Sequence, residues 1–410
     1  MIENSNPIKK RIVVKIAAEL ASPTLIGSGN GENTDNDVLV NRDGEPFLPG
    51  SSLTGVLRSK LTPTDADILF GEDGLDDGRM SPLWVMSSEF KGAKIIEMDG
   101  VALGLENKVA LPTKKYDFEA VEQGTTFTMR LMLVIRKEDD KKLEELLSKV
   151  LSRISSGDIS VGAKSNRGFG RVSCRSDDIK MQTFDYASER RSALARYEAF
   201  NWEDSDNWTI FTSEEVDAEE SVMTKTLRLK GSIMIRDTRH LDGDEDYKHI
   251  CSESGDPSEN GNPVIYGTTW AGAFKGGLYK LLKPRFVGKT EDYLNGYFGY
   301  PAKNTGETLP SKIRFDMSTL EREDKKYDGY RTITRVKINR FTGGAVDGAL
   351  FTERPWYGGK TTLTIRYPKN CPEIERLLNL AFDALDKGLL TIGGETAIGR
   401  GVFEVIQEAK

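Results

Sequence analysis

The stretch that decides the fold is PFLPGSSLTGVLR at residues 46–58, which the chain repeats without a gap as PVIYGTTWAGAFK at residues 263–275. Each copy has apolar residues that can end a strand, a glycine, paired hydroxyl residues suited to a helix N-cap, and a helix-like run ending in a cation. The pattern predicts a strand, a tight turn and a helix start. Backbone N–H groups at such a start, beside a glycine that permits close approach, suit a phosphate group.

One copy alone would be explained more simply as a capped helix that packs and binds nothing, but other features repeat with it. An amphipathic helix predicted at residues 143–154 has a counterpart at residues 374–385, and each stops at a glycine. Each then leads into a glycine-rich loop, VGAKSNRGFGR at residues 161–171 and IGGETAIGRG at residues 392–401. Three glycines match at identical offsets, so the sequence predicts two copies of one domain.

Composition agrees with two ordinary domains. The chain has 410 residues, of which 38% are apolar, enough for a core in each half. It has no apolar run of about eighteen residues and a polar amino terminus, so no membrane segment or signal peptide is expected. Three widely separated cysteines indicate neither a zinc site nor a disulfide framework, and a cytoplasmic location is predicted. The net charge of -7 argues against general nucleic-acid coating but permits a local basic groove.

The domain boundaries follow from the repeat. We expect a first domain at residues 8–176, a connector at residues 177–223 that shares no pattern with either half, and a second domain at residues 224–410. The connector contains the run EEVDAEE at residues 214–220. These acids could face a partner, although a solvated tether is the simpler interpretation.

A cationic strand is predicted in the second half. Strand alternation from residue 331 places Arg331, Arg335 and Lys337 on one face, beside an excursion tipped by glycines. Such a face suits a grip on a polyanion, and a solvated edge strand protected by charges is the alternative.

Together these motifs resemble the RAMP superfamily, whose members form the backbone of type III CRISPR effector complexes. The resemblance rests on PGSSLTGVLR at residues 49–58, on the terminal glycine loops, and on INRFTGGA at residues 338–345 followed by Glu353, which is similar to the family's thumb region. Two copies in one chain resemble the fused backbone subunits of type III-D-like systems.

The resemblance implies an α+β fold of two tandem ferredoxin-like domains, similar to RNA-recognition motifs, with thumb hairpin insertions. Family members contact a guide RNA through their glycine-rich turns, interrupt the guide–target duplex with the thumb, and assemble with other type III subunits; no membrane partner is expected. The residues expected to contact RNA lie in the helix starts, the glycine loops and the second thumb: Gly50, Ser51, Ser52, Arg58, Lys164, Arg167, Gly267, Thr268, Thr269, Lys275, Arg335, Lys337, Arg340 and Arg400.

In catalytic relatives, target RNA is cut by a carboxylate in the loop upstream of the Pro-Gly-Ser-Ser motif, three residues before a strand-opening valine. Asp35 precedes Val38 by three and is the first candidate, and Asp37 is the second. Attack by the RNA's own 2′-hydroxyl needs in-line geometry, proton removal and charge stabilisation, which an aspartate with Mg²⁺ could help to supply. Otherwise these aspartates solvate a turn or cap a strand.

The second half departs from this pattern. Aligning Ile250 with Val38 puts Tyr247 at the catalytic position and Asp246 one residue away. A one-residue shift of the loop would deliver Asp246 to the same point, so Asp246 is the third candidate.

Three functions compete at this stage. An RNA-guided, Mg²⁺-dependent endoribonuclease subunit is favoured, with the first half the more probable catalytic one. The alternatives are a non-catalytic guide-RNA scaffold and an enzyme that processes precursor guide RNA. The last is weakened because the only histidines, His240 and His249, are in the second half. A small-molecule nucleotide-binding protein ranks last, because no phosphate-loop or dinucleotide fingerprint occurs.

Overall fold

The computed structural model describes residues 6–29, 31, 33–72, 78–106, 109–137, 139, 142–203, 207–212, 220–237, 243–252, 261–286, 288–300, 309–323 and 326–406. Most of the predicted acidic linker, most of the loop at residues 251–262, and His240 lie outside these residues.

The first half begins with a long strand and ends with additional strands and a helix. Its elements are Ile8–Leu20 (β1), Phe47–Leu48 (β2), Gly50–Arg58 (α1), Pro63–Phe70 (α2), Leu83–Val85 (β3), Ser88–Lys91 (β4), Ile95–Leu103 (β5), Ala110–Val121 (β6), Thr126–Arg136 (β7), Leu143–Ser155 (α3), Val172–Ser173 (β8), Ile179–Asp185 (β9), Arg190–Glu198 (α4) and Thr209–Ile210 (β10).

The second half repeats the order of the main elements. It contains Glu220–Lys230 (β11), Ser232–Ile233 (β12), Arg236–Asp237 (β13), Tyr247–His249 (β14), Cys251–Ser252 (β15), Asn262–Ile265 (β16), Gly267–Leu282 (α5), Thr290–Phe298 (α6), Arg314–Phe315 (β17), Ser318–Thr319 (β18), Gly329–Tyr330 (β19), Ile333–Ile338 (β20), Ala345–Arg354 (β21), Trp356–Tyr357 (β22), Lys360–Pro368 (β23), Pro372–Asp386 (α7) and Val402–Val405 (β24).

The repeated order confirms the predicted α+β fold with two similar domains. In each half a long strand precedes a helix pair, a long hairpin, a second long strand, an amphipathic helix and a short closing strand. The long strands pair antiparallel, β1 with β7 and β11 with β23, and the closing strands β8 and β24 pair with β1 and β11. The hairpins β5–β6 and β20–β21 occupy the places predicted for thumbs.

Each half has its own hydrophobic core because strand alternation and helical periodicity turn apolar residues to the same side. In the first core, Ile16 of β1 and Leu131 of β7 are fully buried together with Leu147 and Val150 of α3. In the second core, the equivalent elements contribute Leu227, Leu363, Leu378 and Phe382, and α5 adds Trp270.

The chain divides into two compact units. The first comprises Met1–Asp99, Tyr116–Ser165 and Phe169–Asp217, and the second comprises Gly100–Lys115, Asn166–Gly168 and Ala218–Lys410. Residues 177–203 and 207–212 of the predicted connector join the first unit, because β9 pairs along β1 from Lys10 opposite Asp185 to Ile16 opposite Ile179.

An aromatic layer covers the outer face of the sheet in the first unit. Val13 and Met132 pack there against Phe184 of β9 and Ala193 of α4. Partly buried rings complete the layer: Tyr186, Tyr197, Phe200, Trp202 and Trp208. The Phe200 and Trp202 rings meet edge to face with centroids 5.1 Å apart.

No helix in the described ranges is long and apolar enough to cross a membrane.

Candidate nucleic-acid interface

Helices α1 and α5 begin in the same way. Each N-cap residue is extended, Pro49 at φ −60° and ψ 139° and Tyr266 at φ −67° and ψ 149°, and neither provides a side-chain cap. The expectation that the paired hydroxyl residues form the N-caps is therefore wrong, because the helices start one residue earlier, at the glycines. The hydroxyl residues lie in the first turn, with Ser51 exposed and Ser52, Thr268 and Thr269 half-buried.

Close backbone contacts explain the glycine at each helix start. A Cβ on Gly50 would lie 2.4 Å from the Val85 carbonyl oxygen, and a Cβ on Gly267 would lie 2.1 Å from the Phe315 carbonyl oxygen. Neither gap admits a side chain. The Gly50 N–H is already engaged, since it donates to Ser87 Oγ at 3.1 Å.

The first turn of α1 leaves backbone donors for a ligand. The first hydrogen bond of the helix runs from Leu53 N–H to the Pro49 carbonyl at 3.1 Å. The N–H groups of Ser51 and Ser52 precede it, and such groups lack a partner within a helix. An anion is favoured at this end of a helix.

The cation that ends each motif instead clasps the following helix. Arg58 donates through Nη1 to the Gly71 carbonyl at 3.0 Å and forms an ion pair with Asp67. Lys275, at the same offset in the second half, donates to the Gly299 carbonyl at 3.1 Å. Gly71 and Gly299 are the C-caps of α2 and α6 and share one conformation, with φ of 79° and 72°. Burial lowers the pKa of the Lys275 ammonium.

The terminal loops have the same backbone in both halves. The matched glycines all have positive φ: 82° for Gly162 and Gly393, 83° and 86° for Gly168 and Gly399, and 73° and 69° for Gly170 and Gly401. A Cβ on Gly170 or Gly401 would lie 1.8 Å from a carbonyl oxygen, so these positions require glycine. Lys164 and Glu395 also occupy equivalent left-handed positions, at φ 59° and 56°.

Asp35 is an exposed carboxylate held by the thumb strand β6. Its Oδ2 accepts the Asp117 N–H at 3.1 Å, and its own N–H donates to Asp117 Oδ1 at 2.9 Å. Asp35 Oδ1 has no hydrogen-bond partner among the described residues. The reciprocal contact fixes the loop beside the thumb and leaves one oxygen for a ligand.

Asp37 has a different environment. It is only 8% exposed, and its Oδ1 accepts from both the N–H and the hydroxyl of Thr34 at 2.8 Å. Its Oδ2 accepts the Asn33 N–H at 3.1 Å. Asp37 therefore shapes the turn that presents Asp35.

Asp246 is the structural counterpart of Asp35. Leu39 N–H donates to the Ile26 carbonyl at 2.7 Å, and Ile250 N–H donates to the Ile235 carbonyl at 2.9 Å. Ile250 therefore corresponds to Leu39, one residue away from the alignment made by sequence. Four residues before each of them stand Asp35 and Asp246.

Asp246, like Asp35, exchanges two hydrogen bonds with one residue of its thumb. Its Oδ2 accepts the Thr352 N–H of β21 at 2.8 Å, and its N–H donates to the Thr352 carbonyl at 2.8 Å. Asp246 is exposed, and its Oδ1 has no hydrogen-bond partner within the described ranges. Each half thus holds one exposed aspartate against the second strand of its thumb.

The supports behind the two aspartates differ in chemistry. In the first unit the Lys164 ammonium lies over the Phe118 ring, 2.9 Å from its centroid, and Phe118 meets Phe169 edge to face at 5.9 Å. Lys164 is thus directed into the thumb base. Arg167, in the same loop, is exposed.

In the second unit a buried ion network takes this place. Glu353 is fully buried and bonds to Arg400, which is 3% exposed, with Nη1 at 3.2 Å from Oε2. Arg335 forms a further ion pair with Glu353. Arg400 also reaches Glu395 Oε2 at 2.7 Å. Two cations predicted to bind RNA, Arg335 and Arg400, therefore already neutralise carboxylates.

Tyr247 links this network to the loop of Asp246. Its hydroxyl donates to Glu353 Oε2 at 3.2 Å and lies 3.1 Å from Glu395 Oε1, and Arg236 stacks on its ring at 4.3 Å. Burial and the Glu395 charge raise the pKa of Tyr247 to about 12. Burial opposes ionisation of Glu395, but hydrogen bonding from Arg236 and the charge of Arg400 lower its pKa overall.

Both thumbs expose apolar side chains. On the first hairpin Val101, Leu103, Val109 and Leu111 are between 44% and 59% exposed. On the second, Phe341 at the tip is 87% exposed and Arg340 stacks on it at 5.2 Å. Lys337 and Arg340 are exposed.

Asp35 and Asp246 are the candidate carboxylates for binding Mg²⁺. Among the described residues no group of three or more His, Cys, Asp or Glu side chains could hold a metal ion. Mg²⁺ commonly binds through one or two carboxylates and completes its shell with phosphate and water. Asp35 with Asp117 meets that requirement in the first half, and Asp246 alone supplies one carboxylate in the second.

Sequence reasoning missed several residues that form the site. Asp117 and Thr352 hold the candidate aspartates, and Glu353 anchors the second network, but all three act through strands distant along the chain. Glu353 was noted only as part of the thumb motif. Asp117 had a usable signal, as one of two acids that alternate with aromatic residues at 116–119 of β6.

The chain matches a known protein family in two regions. A family model described as the RAMP superfamily matches residues 17–173 and 254–404, which is more than half of the sequence. The chain therefore belongs to the RAMP superfamily and contains two tandem RAMP domains. The superfamily comprises CRISPR-associated RNA-binding subunits that function in multi-subunit complexes. Asp35 lies within the first matched region, and Asp246 precedes the second. No curated protein matches the chain.

Proposed function

We propose that this protein is a backbone subunit of a type III CRISPR ribonucleoprotein, type III-D-like, which binds guide RNA along both halves and cleaves complementary target RNA. The observation that carries the proposal is the matched pair of exposed aspartates, Asp35 and Asp246, each held by a backbone N–H of its thumb. Family membership supplies the RNA-binding context.

Guide binding is assigned to the helix starts. The N–H groups of Ser51 and Ser52 and the dipole of α1 suit one guide phosphate, and the first turn of α5 suits another. The glycines admit the RNA backbone closely. The exposed Lys337 and Arg340 add charge at the second thumb.

The thumbs determine where along the guide–target duplex the target is cut. Exposed apolar side chains such as Phe341 insert between bases and unstack the duplex locally. A nucleotide released from the stack beside the thumb brings its 2′-hydroxyl toward the aspartate at the thumb base. This arrangement supports in-line attack, which a regular duplex disfavours.

At each site the free Oδ1 of the aspartate accepts the 2′-hydroxyl proton as the 2′-oxygen attacks the adjacent phosphorus. The 2′-O–P bond forms, the P–O5′ bond breaks, the leaving 5′-oxygen takes a proton from solvent water, and the products are a 2′,3′-cyclic phosphate and a 5′-hydroxyl end. Bound Mg²⁺ would supply stabilisation of charge on the phosphate. The thumb N–H keeps the carboxylate oriented.

A non-catalytic guide-RNA scaffold is the second candidate. The hydrogen bond from the thumb to each aspartate also anchors the thumb, which is a structural role that needs no cleavage. Precursor guide-RNA processing through a histidine has less support. His249 is fully buried, its Nδ1 accepts the Ile235 N–H at 3.1 Å, and burial lowers its pKa to about 3.

The test compares cleavage and binding in one preparation. The complex is reconstituted with guide RNA and Mg²⁺, and a labelled complementary RNA is incubated with wild type and with the double variant Asp35→Asn, Asp246→Asn. Asparagine keeps an acceptor for the thumb N–H but removes the base. We expect cleavage to fall by at least about 100-fold, the usual range for loss of a general base, with target binding unchanged.

Asp43→Asn is the matched control, because Asp43 is another exposed carboxylate on the turn that follows in the first half. It should cleave like wild type. If the double variant cuts as fast as wild type, the scaffold function is correct and the nuclease belongs to another subunit.

A further inference from the structure

A second aromatic surface stands at the entry to the second thumb. Tyr327 is 60% exposed, and the Arg331 guanidinium lies 5.0 Å from the centroid of its ring. The same guanidinium lies 5.4 Å from the ring of Tyr357 on β22. We call Tyr327, Arg331 and Tyr357, together with Lys326, the tyrosine platform.

The fold holds this platform in place. In the antiparallel pair of β19 and β22, Gly329 lies opposite Tyr357 and Tyr330 lies opposite Trp356. The Arg331 N–H then donates to the Pro355 carbonyl at 3.1 Å. Two consecutive pairings therefore set Arg331 beside Tyr357. The preceding turn brings the Tyr327 ring to the same guanidinium.

The platform carries two cationic side chains. Lys326 lies 5.5 Å from the Tyr327 centroid, and neither Lys326 nor Arg331 has a carboxylate partner among the described residues. Asp328 is engaged elsewhere, since its Oδ2 accepts the Glu323 N–H at 2.9 Å. Arg335, four residues further, contrasts with them because it pairs with buried Glu353.

From this geometry we infer that the tyrosine platform binds a nucleotide of single-stranded RNA, with the base stacked on Tyr327 and the phosphate held by Lys326 and Arg331. Exposed aromatic rings beside cations are the features that single-stranded nucleic acid uses, because every base has a stacking face. The inference extends the proposed RNA-binding function to a site outside the helix starts, glycine loops and thumb tips. It does not require cleavage.

The test is photo-crosslinking of the full-length chain to a single-stranded RNA oligonucleotide that carries 4-thiouridine, with mass spectrometry of the crosslinked peptides. Wild type should crosslink at Tyr327 or Tyr357. Loss of a stacked base lowers affinity by at least about fivefold, so Tyr327→Ala should reduce the yield at this site by that factor. Arg331→Gln should reduce it similarly and weaken its dependence on salt.

Two controls separate stacking from folding and charge. Tyr327→Phe keeps the ring and should retain the crosslink. Arg191→Gln removes one exposed charge from α4 and should leave the yield unchanged. A probe that crosslinks only elsewhere, or an undiminished yield in Tyr327→Ala, overturns the platform.

The result is independent of the cleavage proposal. The double variant Asp35→Asn, Asp246→Asn should crosslink at the platform as wild type does, whether or not it still cuts RNA. Loss of the crosslink in that double variant would contradict a separate site.

Discussion

The two units present equivalent exposed aspartates, Asp35 and Asp246, beside thumb bases that are packed differently. In the first, aromatic rings and the cation Lys164 fill the thumb base, whereas in the second the same space holds Glu353, Arg400 and Glu395. The outer sheet faces also differ, since α4 and its rings cover the first, while Val222, Thr224 and Thr362 are exposed on the second. Loop geometry therefore depends on the backbone pattern of glycines and on thumb pairing rather than on one kind of packing.

The largest expected effect comes from breaking the buried ion network of the second unit. Glu353→Gln removes the fully buried carboxylate shared by Arg335 and Arg400 and leaves Arg400 with Glu395 as its remaining charged partner, so the loss should lie at the lower end of the about 3–5 kcal/mol that removal of one member of a buried pair costs. We expect the free energy of unfolding of the second unit to fall by that amount. Denaturant titration followed by hydrogen exchange, which resolves the two units, measures it.

The control makes the thumb base of the second unit apolar, like that of the first unit. Glu353→Leu combined with Arg400→Met replaces the ion pair by apolar groups, as Phe118 and Phe169 do in the first unit. Such replacements are often neutral or stabilising. The double variant should therefore be more stable than Glu353→Gln, and a double variant less stable than the single one would contradict this account of the network.

A second difference concerns pH. His249 occupies the place of Val38, and burial lowers its pKa to about 3 from an ordinary value near 6.5. The folded state prefers neutral His249, so its contribution is complete above pH 6.5 and is lost as pH falls toward 3. Between pH 7 and pH 5 the loss should be about 2 kcal/mol.

Urea unfolding of wild type and His249→Asn at both pH values checks this expectation. Asparagine retains an acceptor for the Ile235 N–H and does not titrate. The variant should lose less stability on acidification than wild type by about 2 kcal/mol. Equal losses would mean that His249 is accessible to protonation in the folded protein.

The smallest predicted effect compares the clasping cations. Arg58→Met and Lys275→Met each keep an aliphatic stem but lose a charge-assisted hydrogen bond to the C-cap carbonyl of the next helix. Both groups are partly exposed, so each change should cost only about 1 kcal/mol. Thermal or denaturant unfolding measures the loss in each unit.

The same two variants also distinguish clasping from RNA binding. A phosphate contact would reduce the salt dependence of RNA affinity by about one charge. We expect that slope to stay unchanged in both variants. A reduced slope with unchanged stability would assign Arg58 and Lys275 to RNA instead.

The sequence was sufficient for the fold wherever local backbone geometry restricts residue type. Gly162, Gly168, Gly170 and their counterparts in the second half all have positive φ, and all except Gly399 also lie against a carbonyl oxygen that leaves no room for a Cβ, so the repeat predicted the loops correctly. The strand–turn–helix was also correct, although the helices start at Gly50 and Gly267 instead of at the hydroxyl residues.

Contacts between strands that are distant along the chain could not be predicted from the sequence. The alignment of Ile250 with Val38 matched two β-branched residues. The backbone hydrogen bonds instead make Ile250 equivalent to Leu39, and buried His249 equivalent to Val38. The partners of Arg335 and Arg400 depend on which strand passes beneath the loop. Sequence therefore predicted cations at an RNA surface, and tertiary structure shows that these two are engaged internally.

The most direct test of the central claim is to map target cuts at single-nucleotide resolution with Asp35→Asn and Asp246→Asn made separately. The account predicts that each variant loses a different cut while target affinity and the remaining cuts persist. It is contradicted if every cut survives both substitutions, or if either single change removes all cuts while leaving binding intact.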